Sequence, residues 1–196
     1  MTHKKYIINV LLFDDFELLD VFGPLEMFSI LPEHFQINII SEQEGLITGH
    51  GGVEINCPYS FQNTPKGDIL MIPGGQGTRK IIDNKNVIAW IKTQGPKHPY
   101  VFSICTGAAL LAKSSQLDGA SATTNKLAYD WVISQGPKVN WEFKPRWIQS
   151  GKFWTSAGIS AGIDMSLTFI EKLLGTETAN KVTNYAEYGW NKNSSQ

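Results

Sequence analysis

The chain has 196 residues, 42% hydrophobic and 18% charged, with 17 basic against 18 acidic side chains and a formal net charge of -1. That length buries the core of one medium domain and leaves little room for a second, while the even charge balance excludes the basic footprint of a nucleic-acid or anionic-membrane binder. Two cysteines, Cys57 and Cys105, are too few for a disulfide framework, and His3, His34, His50 and His98 stand at no metal-ligand spacing from them, so no structural metal is expected.

Residues 1–5 are basic, but the apolar run behind them is short, stops at Asp14-Asp15 and has no small-residue cleavage site. A first strand over residues 6–13 is expected in place of a signal peptide or membrane span, and a soluble cytoplasmic chain is the simplest account. The run is nearly continuous and rich in β-branched residues, the pattern of a strand covered on both faces. Residues 17–21 predict one or two helical turns broken at Gly23-Pro24, with a new helix restarting there through Met27 and Phe28. Asp20 then stands just before the break. Strands are expected over 35–41 and 53–56, separated by the Gly-rich stretch 45–52, and over 69–72, which runs into Pro73-Gly74-Gly75-Gln76-Gly77.

Residues 87–91 lie in a helix that Gly95-Pro96 ends, and 100–104 form the next buried strand. Cys105-Thr106-Gly107 follows at once, then a small-residue helix over 108–113. Another helix is expected over 126–134, and 147–150 with 153–156 read as a hairpin turning at Gly151. Ile163, Leu167, Ile170 and Leu174 form one helical stripe, with Gly175 placed to cap it and Thr176 to cap a last helix from 177 to about 188, before a polar tail. Strands alternating with helices indicate one α/β domain, residues 1–196, with a largely parallel sheet. Ligands of such sheets sit beyond the carboxyl ends of the strands, where Asp20, Gly74 and Cys105 all fall.

Cys105 lies between a strand and a helix, the position of a nucleophile elbow, although the Gly-x-Ser-x-Gly residues of hydrolases are absent. The first helical amides favour an anion there, and thiols so placed have pKa values of about 3.5–7.5, so a thiolate at neutral pH is expected. The competing reading is a buried small hydrophobe, which also fits Cys57. Asp20 is the second member: protonated, its carboxyl supports a thiolate, and ionised, it raises the thiol pKa, so the two titrate as a pair. Alternatively Asp20 caps or solvates its turn, and Glu26 fits the start of the second helix. The amides of Gly74, Gly75 and Thr106 suit an oxyanion-type pocket, or Pro-Gly-Gly is simply a tight turn. Trp141, Trp147 and Trp154 line a pocket or a dimer surface, or pack the core. Asp164 reads as an N-terminal helix anion and His50 as an exposed loop residue.

The segments DVFGPLE (20–26), DILMIPGG (68–75), SICTGAALL (103–111), LDGASATT (117–124) and WTSAGISAGID (154–164) resemble the ThiJ/PfpI superfamily, the class I glutamine amidotransferase-like proteins. The likeness is nearest to the branch of isonitrile hydratases and the amino-terminal domains of AraC-type regulators, where the cysteine is followed by threonine and an Asp-x-x-Gly-Pro segment supplies the carboxylate. The resemblance implies a flavodoxin-like three-layer sandwich, a homodimer, no cofactor and a small-molecule substrate. It also implies catalytic roles for Cys105, Asp20 and Thr106: sulfur attacks the terminal carbon of an isonitrile, Asp20 relays a proton, and the Thr106 hydroxyl steadies the water or the acid.

Two departures stand out. Peptidases of the superfamily place histidine directly after the cysteine, where this chain has Thr106. Hydratase-like sequences often carry His-Trp after Ala-Thr-Thr, where this chain has Asn125-Lys126. Proteolysis is disfavoured, and a Cys-His-acid triad using that histidine cannot form. Competing functions are a sensor in which Cys105 oxidises to a sulfinate held by Asp20, and glyoxalase-like action on methylglyoxal. AraC-type regulation lacks its DNA-binding half within these residues.

Overall fold

The structure is a computed structural model that describes residues 5–195; His3 and most of the basic start lie outside them. The strands are β1 (Tyr6–Leu11), β2 (Phe35–Ser41), β3 (Gly45–Thr48), β4 (Glu54–Cys57), β5 (Tyr59–Ser60), β6 (Ile69–Ile72), β7 (Tyr100–Ile104), β8 (Ser121–Ala122), β9 (Asn140–Trp141), β10 (Trp147–Ser150) and β11 (Phe153–Ser156). The helices are α1 (Leu18–Ser29), α2 (Gly77–Ile81), α3 (Lys85–Gln94), α4 (Gly107–Lys113), α5 (Tyr129–Ser134), α6 (Ala161–Leu174) and α7 (Thr176–Tyr185).

Seven strands form the central sheet in the order β10-β11-β7-β6-β1-β2-β5. Every pair is parallel except the β10–β11 hairpin. From β1 the chain crosses through α1 to β2 on one side, whereas β6 and β7 lie on the other, so the winding reverses between β1 and β6. Right-handed crossovers then place α1 and α6 on one face and α3 and α4 on the opposite face. This is the flavodoxin-like sandwich, and the crevice at its reversal point is where an open α/β sheet binds ligands. The central strands β6 and β7 are buried on both faces, and Phe28, Phe102, Phe169 and Trp154 interlock above them, with Phe102 and Phe169 edge to face at 5.0 Å. Trp147 stacks on Trp154, so these tryptophans are core, and Trp141 donates to the Gly136 carbonyl at 2.9 Å.

The expected break at Gly23-Pro24 is absent: α1 runs through both residues. A mid-helix proline costs about 3 kcal/mol in isolation, but here the small residues bring two helices together. A Cβ on Gly23 would stand 2.8 Å from Ile163 Cγ1, and one on Gly162 would stand 3.2 Å from Pro24 Cγ. Burial against α6 outweighs the lost hydrogen bond. Glu26 therefore lies exposed late in one long helix and starts no second one. The stretch 45–52 is also not a plain connector, because Gly45–Thr48 pairs antiparallel with Glu54–Cys57. Helix α5 starts at Tyr129, later than expected, and Thr176 opens α7 without capping it; Gly175, at φ 90°, makes the junction.

Close approach decides one glycine next to the sheet edge. A Cβ on Gly107, the first residue of α4, would lie 2.3 Å from the Ile72 carbonyl oxygen and 2.7 Å from that of Pro73. Gly107→Ala must push α4 off the end of β6. A loss of about 1–3 kcal/mol in urea unfolding is expected.

Candidate active site

Three loops at the carboxyl edge build the site. Cys105 follows β7 directly and takes φ 56°, a left-handed conformation that a non-glycine residue holds only under strain of about 1–3 kcal/mol. Both sides of the strained residue are pinned: its N–H donates to the Ser156 carbonyl at 3.1 Å, and its carbonyl accepts the Thr124 hydroxyl at 2.7 Å. The expected nucleophile elbow is present, with Cys105 6% exposed.

Asp20 sits in the first turn of α1, fully buried. Its Oδ2 accepts the Gly74 N–H at 2.9 Å, and Oδ1 is buried without a nitrogen or oxygen partner. The Cys105 thiol lies beside this carboxyl and the two groups interact. Gly74 has no room for a side chain, since a Cβ there would lie 2.6 Å from Thr106 N and 2.8 Å from Asp20 Oδ2. The Thr106 hydroxyl accepts the Gly75 N–H at 3.0 Å, and Thr78 Oγ1 stands 3.1 Å from it.

These bonds correct two expectations. The Gly74 and Gly75 amides are not open oxyanion donors, because Asp20 and Thr106 occupy them. Thr106 braces the glycine loop and does not touch Asp20 with its hydroxyl; its own N–H serves the Cys105 sulfur. A third correction concerns charge. Burial, and after it the Asp20 charge, push the Cys105 thiol up to about 12, against the lowering effect of the Thr106 amide and Asn125. The expected resting thiolate is absent, because desolvation in this pocket exceeds the help of one short helix. Burial also lifts Asp20 to about 7, the Glu17 charge adding to it and the Gly74 N–H opposing it. The pair therefore keeps its thiol proton near neutrality, and Asp20 is the group whose charge changes there.

Asn125 occupies the place where hydratase-like sequences often carry histidine. Its Oδ1 accepts the Leu127 and Ala128 N–H groups at 2.9 and 3.1 Å, which leaves Nδ2 as the donor toward sulfur. An amide so held stabilises negative sulfur but takes no proton. No described histidine lines the site: His98 is locked between Asn9 Nδ2 at 3.0 Å and the Gln94 carbonyl at 2.8 Å, and exposed His50 contacts Asp15. Cys57 is wholly buried against the Ile55 carbonyl, the inert hydrophobe expected.

A cavity of about 340 Å³ opens above the sulfur, lined by Glu17, Gly75, Gln76, Arg79, Cys105, Thr106, Asn125, Leu127, Ala128 and Ile159. Sequence reading singled out Cys105, Thr106, Gly75 and the unusual Asn125 but missed the others. Glu17 is the residue just before α1, three positions ahead of Asp20, and this closeness in sequence could have revealed it; Arg79 and Ile159 are delivered by tertiary packing alone. Among the described residues no cluster of metal-ligating side chains occurs, and no helix is long and apolar enough to cross a membrane.

The profile of the DJ-1/PfpI family matches residues 7–172, spanning all three loops of the site. The chain belongs to this family. Within the DJ-1/PfpI proteins it is 30% identical to the isonitrile hydratase of Pseudomonas putida over 181 residues, 92% of this chain and 78% of that protein. It is also 30% identical to a deglycase of Thermococcus kodakarensis, over 66% of this chain and 78% of that protein. Among solved structures, a ThiJ/PfpI family protein from Pseudomonas syringae superposes with a TM-score of 0.87 at 24% identity, covering 95% of this chain and 76% of that one, which supports the fold.

Proposed function

We propose that this protein is a cofactor-independent cysteine enzyme that hydrates isonitriles to N-substituted formamides. The observation that carries the reading is the buried Cys105–Asp20 pair, in which a carboxyl raised to about 7 stands beside a thiol that keeps its proton. A base poised near ambient pH is well matched to taking a proton during attack. The Asp20 carboxylate removes the thiol proton as sulfur bonds to the terminal isonitrile carbon. Asp20 then delivers that proton to the same carbon, giving a thioimidate. Water adds to the carbon, the carbon–sulfur bond breaks, sulfur regains a proton, and the formamide leaves. The sum is isonitrile plus water, with no electron transfer.

Asn125 Nδ2 and the Thr106 N–H support sulfur while it carries charge. The occupied Gly74 and Gly75 amides favour this chemistry over acyl transfer, which needs open donors for an oxyanion. The likeness to the Pseudomonas putida hydratase over most of the chain supports the same reading, and a homodimer remains part of it. The test is to add a small isonitrile and follow formamide by NMR. Wild type is expected to form product and Cys105→Ala to form none; a wild type that leaves the isonitrile untouched refutes the assignment.

A further inference from the structure

We propose that Arg79 is an anion-recognition residue of the Cys105 cavity and that the electrophiles this site takes carry a carboxylate on an otherwise apolar stem. The inference extends the reading of Cys105 as nucleophile but is carried by a different group. Arg79 comes from α2 and lines the cavity, yet among the described residues its guanidinium makes no ion pair and no hydrogen bond. Its recorded side-chain partner is the face of Trp131, 4.5 Å from the ring centroid. Held over a ring face, a guanidinium still has N–H donors to offer, and these can grip a carboxylate through two parallel bonds.

Glu17, the other charged group of the cavity, already has a task inside the site: its charge helps hold Asp20 up. A substrate ammonium placed there would cancel that effect and spoil the match of the base. Arg79 contributes to the shift of neither Asp20 nor Cys105, so its charge is not spent on the catalytic pair. Leu127 and Ile159 are both exposed where they line the cavity, leucine completely so. They give an apolar stem something to cover within the cavity that the sulfur and the arginine share.

Two alkylating reagents of nearly equal shape test this without an isonitrile. Cys105 is treated with iodoacetate and with iodoacetamide, each rate is read from the Cys105 peptide by mass spectrometry, and the ratio is normalised to 2-mercaptoethanol. The wild-type ratio is expected to favour iodoacetate, to fall by about 5-fold in Arg79→Gln and to fall with added salt, while the iodoacetamide rate is unchanged. An unchanged ratio in Arg79→Gln overturns the proposal. A second arm uses Cys105→Ala and compares propionate with propionamide by saturation-transfer NMR. Propionate contact that disappears when Arg79→Gln is added supports the anion site, and contact that persists overturns it. If Cys105 resists both reagents while propionate still depends on Arg79, the nucleophile reading falls and the anion site stands.

Discussion

Asp20→Asn is expected to reduce isonitrile turnover by about 10²–10⁴-fold, the usual worth of a positioned proton carrier, while making Cys105 easier to ionise. The two effects have opposite signs because the carboxyl acts in two ways. Its negative charge is the second cause that raises the thiol, after burial, so removing the charge lowers the Cys105 midpoint from its position near 12. The same change removes the buried acid beside the sulfur that accepts the thiol proton and returns it to carbon. Iodoacetamide kinetics across pH would read the first effect and formamide production the second. A variant that gains thiol reactivity and keeps its turnover would eliminate Asp20 from the chemistry.

The same substitution has a signature in stability. Asp20 is raised from 3.8 to about 7 in the folded chain, so the native state holds its proton over a range where the unfolded state has lost it. Stability from this group is greatest below pH about 4, falls as pH rises toward 7, and is level above. Asparagine carries no charge at any of these values, and its carbonyl still accepts the Gly74 N–H. Asp20→Asn is therefore expected to match wild type in acid and to exceed it by about 2–4 kcal/mol at pH 8. Wild-type turnover follows the opposite trend, rising with pH through about 7 as the base ionises. A functional carboxyl that costs stability where it works is the usual compromise of an active site.

The fold was legible because its central strands announce themselves. Residues 35–41, 69–72, 100–104, 147–150 and 153–156 were delimited as they stand in the structure, each being a short apolar or β-branched run between turn residues. What failed did so where tertiary contacts overrule local preference. Pro24 reads as a helix break until Ile163 is seen packed against Gly23, and Leu46-Ile47-Thr48 between glycines is too short to declare a strand without its partner β4. The meeting of Cys105 and Asp20 was equally readable, since a strand-to-helix cysteine and an acid after the first strand come together at one sheet edge. The ionisation of the pair was not. Helix position alone argued for a thiolate, whereas the depth of burial that keeps the proton on sulfur depends on α1 and the glycine loop closing over it, which no local pattern records.

Asp164 illustrates how a residue read as a simple helix anion can tie the site to the far end of the chain. It lies fully buried in the first turn of α6. Oδ2 pairs with the Arg146 guanidinium; Oδ1 accepts the Tyr188 hydroxyl at 3.1 Å and the Asn191 N–H at 3.0 Å. Arg146 in turn donates its backbone N–H to the Ser194 carbonyl at 2.6 Å and accepts the Ala157 N–H at 2.7 Å. One carboxylate thus joins the segment before β10, the start of α6 and the tail. Asp164→Ala leaves the guanidinium and two donors without their acceptor, and a loss of about 3–5 kcal/mol in urea unfolding is expected. Tyr188→Phe, which removes a single hydrogen bond, should cost about 1 kcal/mol; equal losses in the two variants would mean that the ion pair contributes nothing. The start of α6 also sets Gly162 against Ile104, the residue before Cys105, where an added Cβ would stand 3.1 Å from Ile104 Cγ2. Loosening the clamp in Asp164→Ala should therefore lower turnover as well, whereas Tyr188→Phe, with the ion pair intact, should keep it.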